Sequence, residues 1–182
     1  MKRKVIALLF FLTATASAEE YGIFIREASL SRRDDQTVLN ADVDYRFTPA
    51  AIDALEHGIP LTLLLELTIR RAQPYWFDET VITERRTIQL RYHPLAKSFQ
   101  IADMDSGVVQ SFVSFSAVTD TLTRIRGWQI HHTGSLESHQ TYLARLEMTL
   151  DIESLPLPLR AEAYVDPNWH LSHPALEWRL TL

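Results

Sequence analysis

From Leu39 to Phe47 the chain alternates apolar and polar side chains, with Leu39, Ala41, Val43, Tyr45 and Phe47 set against Asn40, Asp42, Asp44 and Arg46. Successive side chains of an extended backbone point to opposite faces, so this stretch reads as a strand with one face in a core and the other in water. The same rhythm returns at Tyr142, Ala144, Leu146, Met148, Leu150 and Ile152, against Leu143, Arg145, Glu147, Thr149 and Asp151. Two long half-polar strands specify antiparallel sheet, because parallel sheet is covered on both faces and reads as unbroken apolar sequence.

Other segments extend the pattern. Leu61, Leu63, Leu65, Leu67 and Ile69 share one face of a more apolar stretch that marks a central strand. Residues 80–92 place Ile82, Ile88, Leu90 and Tyr92 in one parity and Arg85, Thr87, Gln89 and Arg91 in the other. Shorter candidates are 21–30, 98–104, 127–132 and 176–182, and Asp34-Asp35-Gln36 fits a hairpin turn. Two segments read as short helices. Thr48 caps the first, Pro49 fits its first turn, and Gly58 provides a left-handed exit before Pro60. Ser116 precedes the second, with Val118, Leu122 and Ile125 on its stripe, Asp120 and Arg124 spaced as an i,i+4 pair, and Gly127 as its exit. Leu155-Pro156-Leu157-Pro158-Leu159 reads as a stiff connector. The total is about eight strands and two short helices, too few helices for a doubly wound parallel fold. The expected class is mainly β, an antiparallel two-sheet sandwich with two short inserted helices; a barrel or a sheet covered by helices is the alternative.

The first eighteen residues read as an export label: basic Lys2, Arg3 and Lys4, an apolar run from Val5 to Leu12, and the small-x-small sequence Ala16-Ser17-Ala18. The run is too short to span a bilayer, so residues 1–18 are expected to be cleaved and 19–182 to form a single sandwich-like domain in the periplasm, without stable membrane insertion afterwards. The whole chain carries a formal charge of -5, and loss of the three basic leader residues takes the product near -8. No basic excess is left to displace counterions from a polyanion, which disfavours nucleic acid as a partner. Cysteine is absent, which excludes disulfides, thiol nucleophiles and thiolate metal sites.

Motifs for chemistry are sparse. His131 and His132 are adjacent and would diverge on a strand, and His170-Leu171-Ser172-His173 lacks the accompanying residues of a zinc motif. Asp103 with Asp105, or Asp78 with Glu79, offers a carboxylate pair only if folding sets its separation; Asp103 and Asp105 equally frame a turn through Ser106-Gly107, and Glu79 reads as a solvated loop residue. No nucleophile elbow, dinucleotide fingerprint or phosphate loop occurs. No catalytic residue, metal ligand or cofactor is therefore assigned. Tyr75, Trp76 and Phe77 follow Pro74 beside Arg70 and Arg71, and these five residues form the candidate contact surface, since aromatic rings rimmed by guanidinium groups anchor proteins or glycans well. The alternative is that Trp76 folds back over an open end of the core. Trp128, Met104 and Met148 read as packing residues, and Trp169 with Leu171 as a plug closing the C-terminal segment.

Four phrases, Ala54-Leu55-Glu56-His57-Gly58-Ile59-Pro60-Leu61, Leu90-Arg91-Tyr92-His93-Pro94-Leu95, Leu155-Pro156-Leu157-Pro158-Leu159-Arg160 and Trp169-His170-Leu171-Ser172, occur in this order. Together they resemble the exported proteobacterial family known as domain of unknown function 4390, over about Ile23 to Trp178. The resemblance implies a Gram-negative envelope protein with no assigned activity and, by gene association, a membrane sensor kinase as one partner. Typical members have tryptophan after the serine of the last phrase, where this chain has His173-Pro174. The expected function is that of a soluble periplasmic binding or accessory protein; the alternatives are a hydrolase with a dispersed site and a carrier of a small apolar ligand between the sheets.

Overall fold

A computed structural model describes residues 20–33, 36–71, 79–131, 136–137 and 140–181. The leader, Asp34-Asp35 and the aromatic triplet Tyr75 to Phe77 lie outside these residues. In chain order the elements are β1 (Gly22–Arg33), β2 (Gln36–Arg46), α1 (Pro49–Glu56), β3 (Leu61–Arg71), β4 (Glu79–His93), β5 (Ser98–Asp103) and β6 (Val109–Phe112). There follow α2 (Phe115–Leu122), β7 (Arg124–Ile130), β8 (Thr141–Leu150), α3 (Leu157–Ala163) and β9 (Leu176–Thr181). They form two antiparallel sheets, one ordered β1-β2-β7 and the other β6-β5-β4-β3-β8-β9, packed as a sandwich-like fold.

The alternation seen in the sequence decides what lies between the sheets. Leu39, Ala41 and Val43 of β2 face Leu65, Leu67, Leu146 and Met148 of the larger sheet within one buried cluster. β3 is central between β4 and β8, and Leu61, Leu63, Leu65, Leu67 and Ile69 are each 0% exposed. The Tyr45 hydroxyl donates to Met148 Sδ across the interface at 3.0 Å. The opposite face of the larger sheet carries a ladder of opposite charges: Arg85 with Glu66 at 2.6 Å, Arg145 with Glu147 at 2.8 Å, and Arg70 with Glu177 at 3.4 Å. Each exposed pair contributes little stability, about 0–1 kcal/mol, but together they keep this face wet and fix its polarity.

α1 forms as its caps dictate. The Thr48 hydroxyl oxygen accepts from the Ala51 N–H at 3.2 Å while its proton goes to the Asn168 carbonyl at 2.8 Å, and Gly58 takes a φ of +85° at the exit. The second helix differs from the sequence expectation. Ser114, not Ser116, is its cap, accepting from Ala117 N–H at 3.3 Å, and Ile125 and Gly127 belong to β7 rather than to the helix end. Strand pairing overrides the helical pattern here, since Arg124 already pairs with Asp42 and Ile125 with Ala41. Gly127, at φ +65°, opens a bulge in which Arg126 and Gly127 together face Asn40.

The proline-rich connector also proves to be more than a spacer. It leads into α3, where Pro158 lies in the first turn, the one part of a helix where a missing N–H costs nothing. Met104 is exposed rather than packed, Trp128 is half-buried against the core, and Glu79 opens β4 instead of lying in a loop. Met148 packs as expected at 1% exposure, and Trp169 and Leu171 are buried. Their plug is tied to the start of β1, where the Ile23 N–H donates to the Leu171 carbonyl at 2.8 Å and Ile23 bridges Ser172 in parallel.

Candidate binding groove

The inner face of β4 is where the apolar pattern breaks. Its register with β3 sets Ile82 against Ile69, Ile88 against Leu63 and Leu90 against Leu61, yet Glu84 falls opposite Leu67 and Arg86 opposite Leu65. The smaller sheet cannot span six strands. β1 lies over β8 and β9, and α2 lies over β5, leaving a groove of about 270 Å3 between β4, β5 and β6 on one side and α2 and β7 on the other. It continues past Trp128 and His131 as a more open space of about 490 Å3.

An ion pair forms its floor. Arg86 Nε and Nη2 both donate to Asp103 Oδ2, at 2.9 and 2.7 Å, and the two side chains are 25% and 12% exposed. The other carboxylate oxygen accepts the N–H groups of Asp105 and Ser106 at 3.0 and 3.1 Å. Burial alone would raise the Asp103 pKa; the Ser106 N–H and the Arg86 guanidinium outweigh it and hold the carboxyl below its ordinary value. The same guanidinium opposes the upward push that burial gives the Tyr45 phenol. Asp105 Oδ2 accepts from the Thr87 N–H at 2.7 Å, pinning the turn after β5 to β4. An acid locked as an anion by two N–H groups and an arginine is a poor proton donor or base near neutral pH.

The β7 wall is cationic. Arg126 Nη1 donates to the carbonyls of Ala41 and Ile125 at 2.9 and 3.0 Å, and its Nη2 pairs with Asp42. Arg124 is exposed and borders the groove, and its side chain has no partner among the described residues. Groove-lining arginines thus number three, Arg86, Arg124 and Arg126, against one lining carboxylate, Asp103, at the narrower part. Opposite them runs β6, the last strand of its sheet, with Val109 exposed by 53% and the flanking Val108 and Val113 by 52 and 90%.

Residues singled out from the sequence are dispersed. Arg70 and Arg71 diverge to opposite faces of β3: Arg70 joins Glu177 on the charged ladder, while Arg71 lies 3.5 Å from Glu79 and 3.8 Å from Glu137. Tyr75, Trp76 and Phe77, the rest of that candidate surface, are outside the described residues. Asp103 and Asp105 frame a turn. Among the described residues no three His, Asp or Glu side chains converge as a metal site would require, and His173 instead packs against the Phe24 ring at 4.5 Å between centroids. An apolar ligand between the sheets would need space that Val43, Leu63, Leu65 and Leu146 fill at 1, 0, 0 and 0% exposure. A more apolar recess of about 520 Å3 lies at the α1 and α2 end, open to solvent and bordered by Tyr21, Tyr45, Phe47 and Phe115.

The Arg86–Asp103 pair was not anticipated, although its signal was present: Arg86 shares the parity of Ile82, Ile88 and Leu90, and a charge on the apolar parity of a strand needs a partner. Neither curated proteins nor solved structures match the chain. Residues 20–179 match the family model described as Domain of unknown function (DUF4390), and the chain belongs to that family.

Proposed function

We propose that this chain is an exported accessory protein of the cell envelope that works by holding another protein. One observation carries the reading: the edge strand β6, with Val109 exposed in it and Val108 and Val113 exposed at its two ends, borders a cationic groove. Native sheets guard such edges against unwanted pairing with charges, prolines or covers, and this one carries no charge or proline between Val108 and Val113. The leader sequence supports delivery to the periplasm; among the described residues no helix is long and apolar enough to cross a membrane. Arg70, Arg71, Tyr75, Trp76 and Phe77 enter the proposal as a second contact surface, with a membrane sensor kinase among the partners that gene association favours.

The test is crosslinking in living cells followed by capture of the tagged chain from the periplasmic fraction. Recovery of a defined envelope protein at a fixed ratio supports the proposal. A chain that stays in the cytoplasm, or crosslinks nothing above a scrambled-bait control, overturns it. Titrating a captured partner against Trp76→Ala and Arg71→Ala tests the second surface, and unchanged affinity in both removes it.

A further inference from the structure

We infer that the β6 edge receives an extended, acidic segment of a partner protein as an added strand; this deepens the accessory reading and rests on it. The register fixes which backbone groups are free. Val109 pairs with Ala102, Gln110 with Ile101, Ser111 with Gln100 and Phe112 with Phe99, and the Asp103 N–H donates to the Val108 carbonyl at 2.9 Å. Residues of an antiparallel strand alternate between exchanging both hydrogen bonds with their neighbour and directing them away. The Val108 carbonyl and positions 110 and 112 are therefore spent on β5, and Val109 and Ser111 direct their N–H and C=O groups to an edge that is open among the described residues.

A strand laid there alternates its side chains between the two faces of the sheet. One set joins the outer face beside Val109 and Ser111, where exposed Val109 favours apolar residues. The other set faces the groove that Gln110 lines, across from Arg124 and Arg126. Arg86 already neutralises Asp103, so the uncompensated charge at the groove is the exposed Arg124, and carboxylates are the complement it selects. On a chain of net charge -5 an acidic segment is repelled elsewhere, so the cationic side sets both location and register. The occupant is thus an extended segment of alternating apolar and acidic residues.

The probe is a fluorescent peptide of about six residues alternating valine and glutamate, with a valine–lysine peptide as its control, titrated by anisotropy against the purified protein. The expected result is at least about tenfold tighter binding of the glutamate peptide, weakening with salt, together with slowed amide exchange at Val109 and Ser111. Ser111→Pro removes an N–H that β5 does not use, and proline is tolerated on edge strands, so it should abolish binding while leaving the thermal midpoint close to wild type. Arg124→Glu, an exposed change that keeps the strand, should reverse the preference between the two peptides. Equal binding of both peptides, unaltered exchange at Val109 and Ser111, or unaltered affinity in Arg124→Glu would overturn the inference. So would concentration-dependent dimerisation of the chain alone that Ser111→Pro abolishes, which would make the edge a contact between copies. If cells still yield a crosslinked envelope partner with Ser111→Pro in place, the accessory reading stands and this site falls.

Discussion

Replacing Asp103 by asparagine tests the groove floor with almost no change of shape. The amide keeps an oxygen to accept from the Asp105 and Ser106 N–H groups but loses the charge that two Arg86 nitrogens share at 2.9 and 2.7 Å. Hydrogen bonds to charged groups contribute about 1.5–3 kcal/mol, and breaking a fully buried pair costs about 3–5 kcal/mol. Here the side chains are 25% and 12% exposed, so solvent reaches the pair and the loss belongs near the lower range, about 2 kcal/mol. For a domain of this length that corresponds to a fall of roughly 4–8 °C in Tm. The sign of the pH dependence follows from the lowered pKa. The pair stabilises the fold fully above the unfolded carboxyl's pKa of about 3.9 and ceases to do so as pH falls through the lower folded value. Urea denaturation of wild type and Asp103→Asn from neutral pH downward should therefore show a gap that narrows in acid. A variant as stable as wild type at neutral pH, or a gap that does not narrow in acid, refutes the reasoning. A double-mutant cycle with Arg86→Met should give a coupling of at least about 1 kcal/mol; additive effects would mean that the pair is not an energetic unit.

Leu146→Ala, at a position with 0% exposure beneath the smaller sheet, should cost about 2–5 kcal/mol through lost burial and the cavity left behind, read as a lower urea midpoint with an unchanged slope. Thr48→Ala removes both a helix cap and the bond to the Asn168 carbonyl and should cost about 1–2 kcal/mol, with Thr48→Ser restoring most of it. Ser114→Ala should cost about 1 kcal/mol as the loss of the α2 cap, whereas Ser116→Ala should stay within about 0.5 kcal/mol; the reverse order would place the helix start where the sequence pattern alone put it.

Strands were legible because side-chain period is a local property: Leu39 to Tyr45 and Tyr142 to Leu150 bury the parity their composition marks. Helix limits were less so. Ser114 and Ser116 both offer a hydroxyl, and the choice between them depends on where β6 ends. Ile125 continues the α2 stripe in sequence, but its pairing with Ala41, some eighty positions away, removes it from the helix. Leu157 to Leu159 gave a similar false reading, because proline in a first turn and proline in a connector look alike without knowledge of Ala163, which is 0% exposed at the other end of α3. The groove was hidden for another reason. Arg86 and Asp103 are seventeen residues apart, and only the β4–β5 register, Ile88 against Asp103, places them side by side.

The unequal width of the two sheets connects these observations. Three strands and α2 cannot cover six, so part of the inner face of β4 and β5 must meet water. A sequence that kept alternating apolar residues there would expose a greasy strip, whereas Glu84 and the paired Arg86 and Asp103 give the strip a polar floor. Ion pairing explains how the uncovered part remains compatible with folding, but it does not explain why the neighbouring edge keeps Val108, Val109 and Val113 exposed. Solubility alone would favour lysine or glutamate at those positions. Polar residues where the sandwich is open and apolar residues where the strand is free are opposite solutions within one region. Both are accounted for if the first is solvated at all times and the second is covered when a partner is bound.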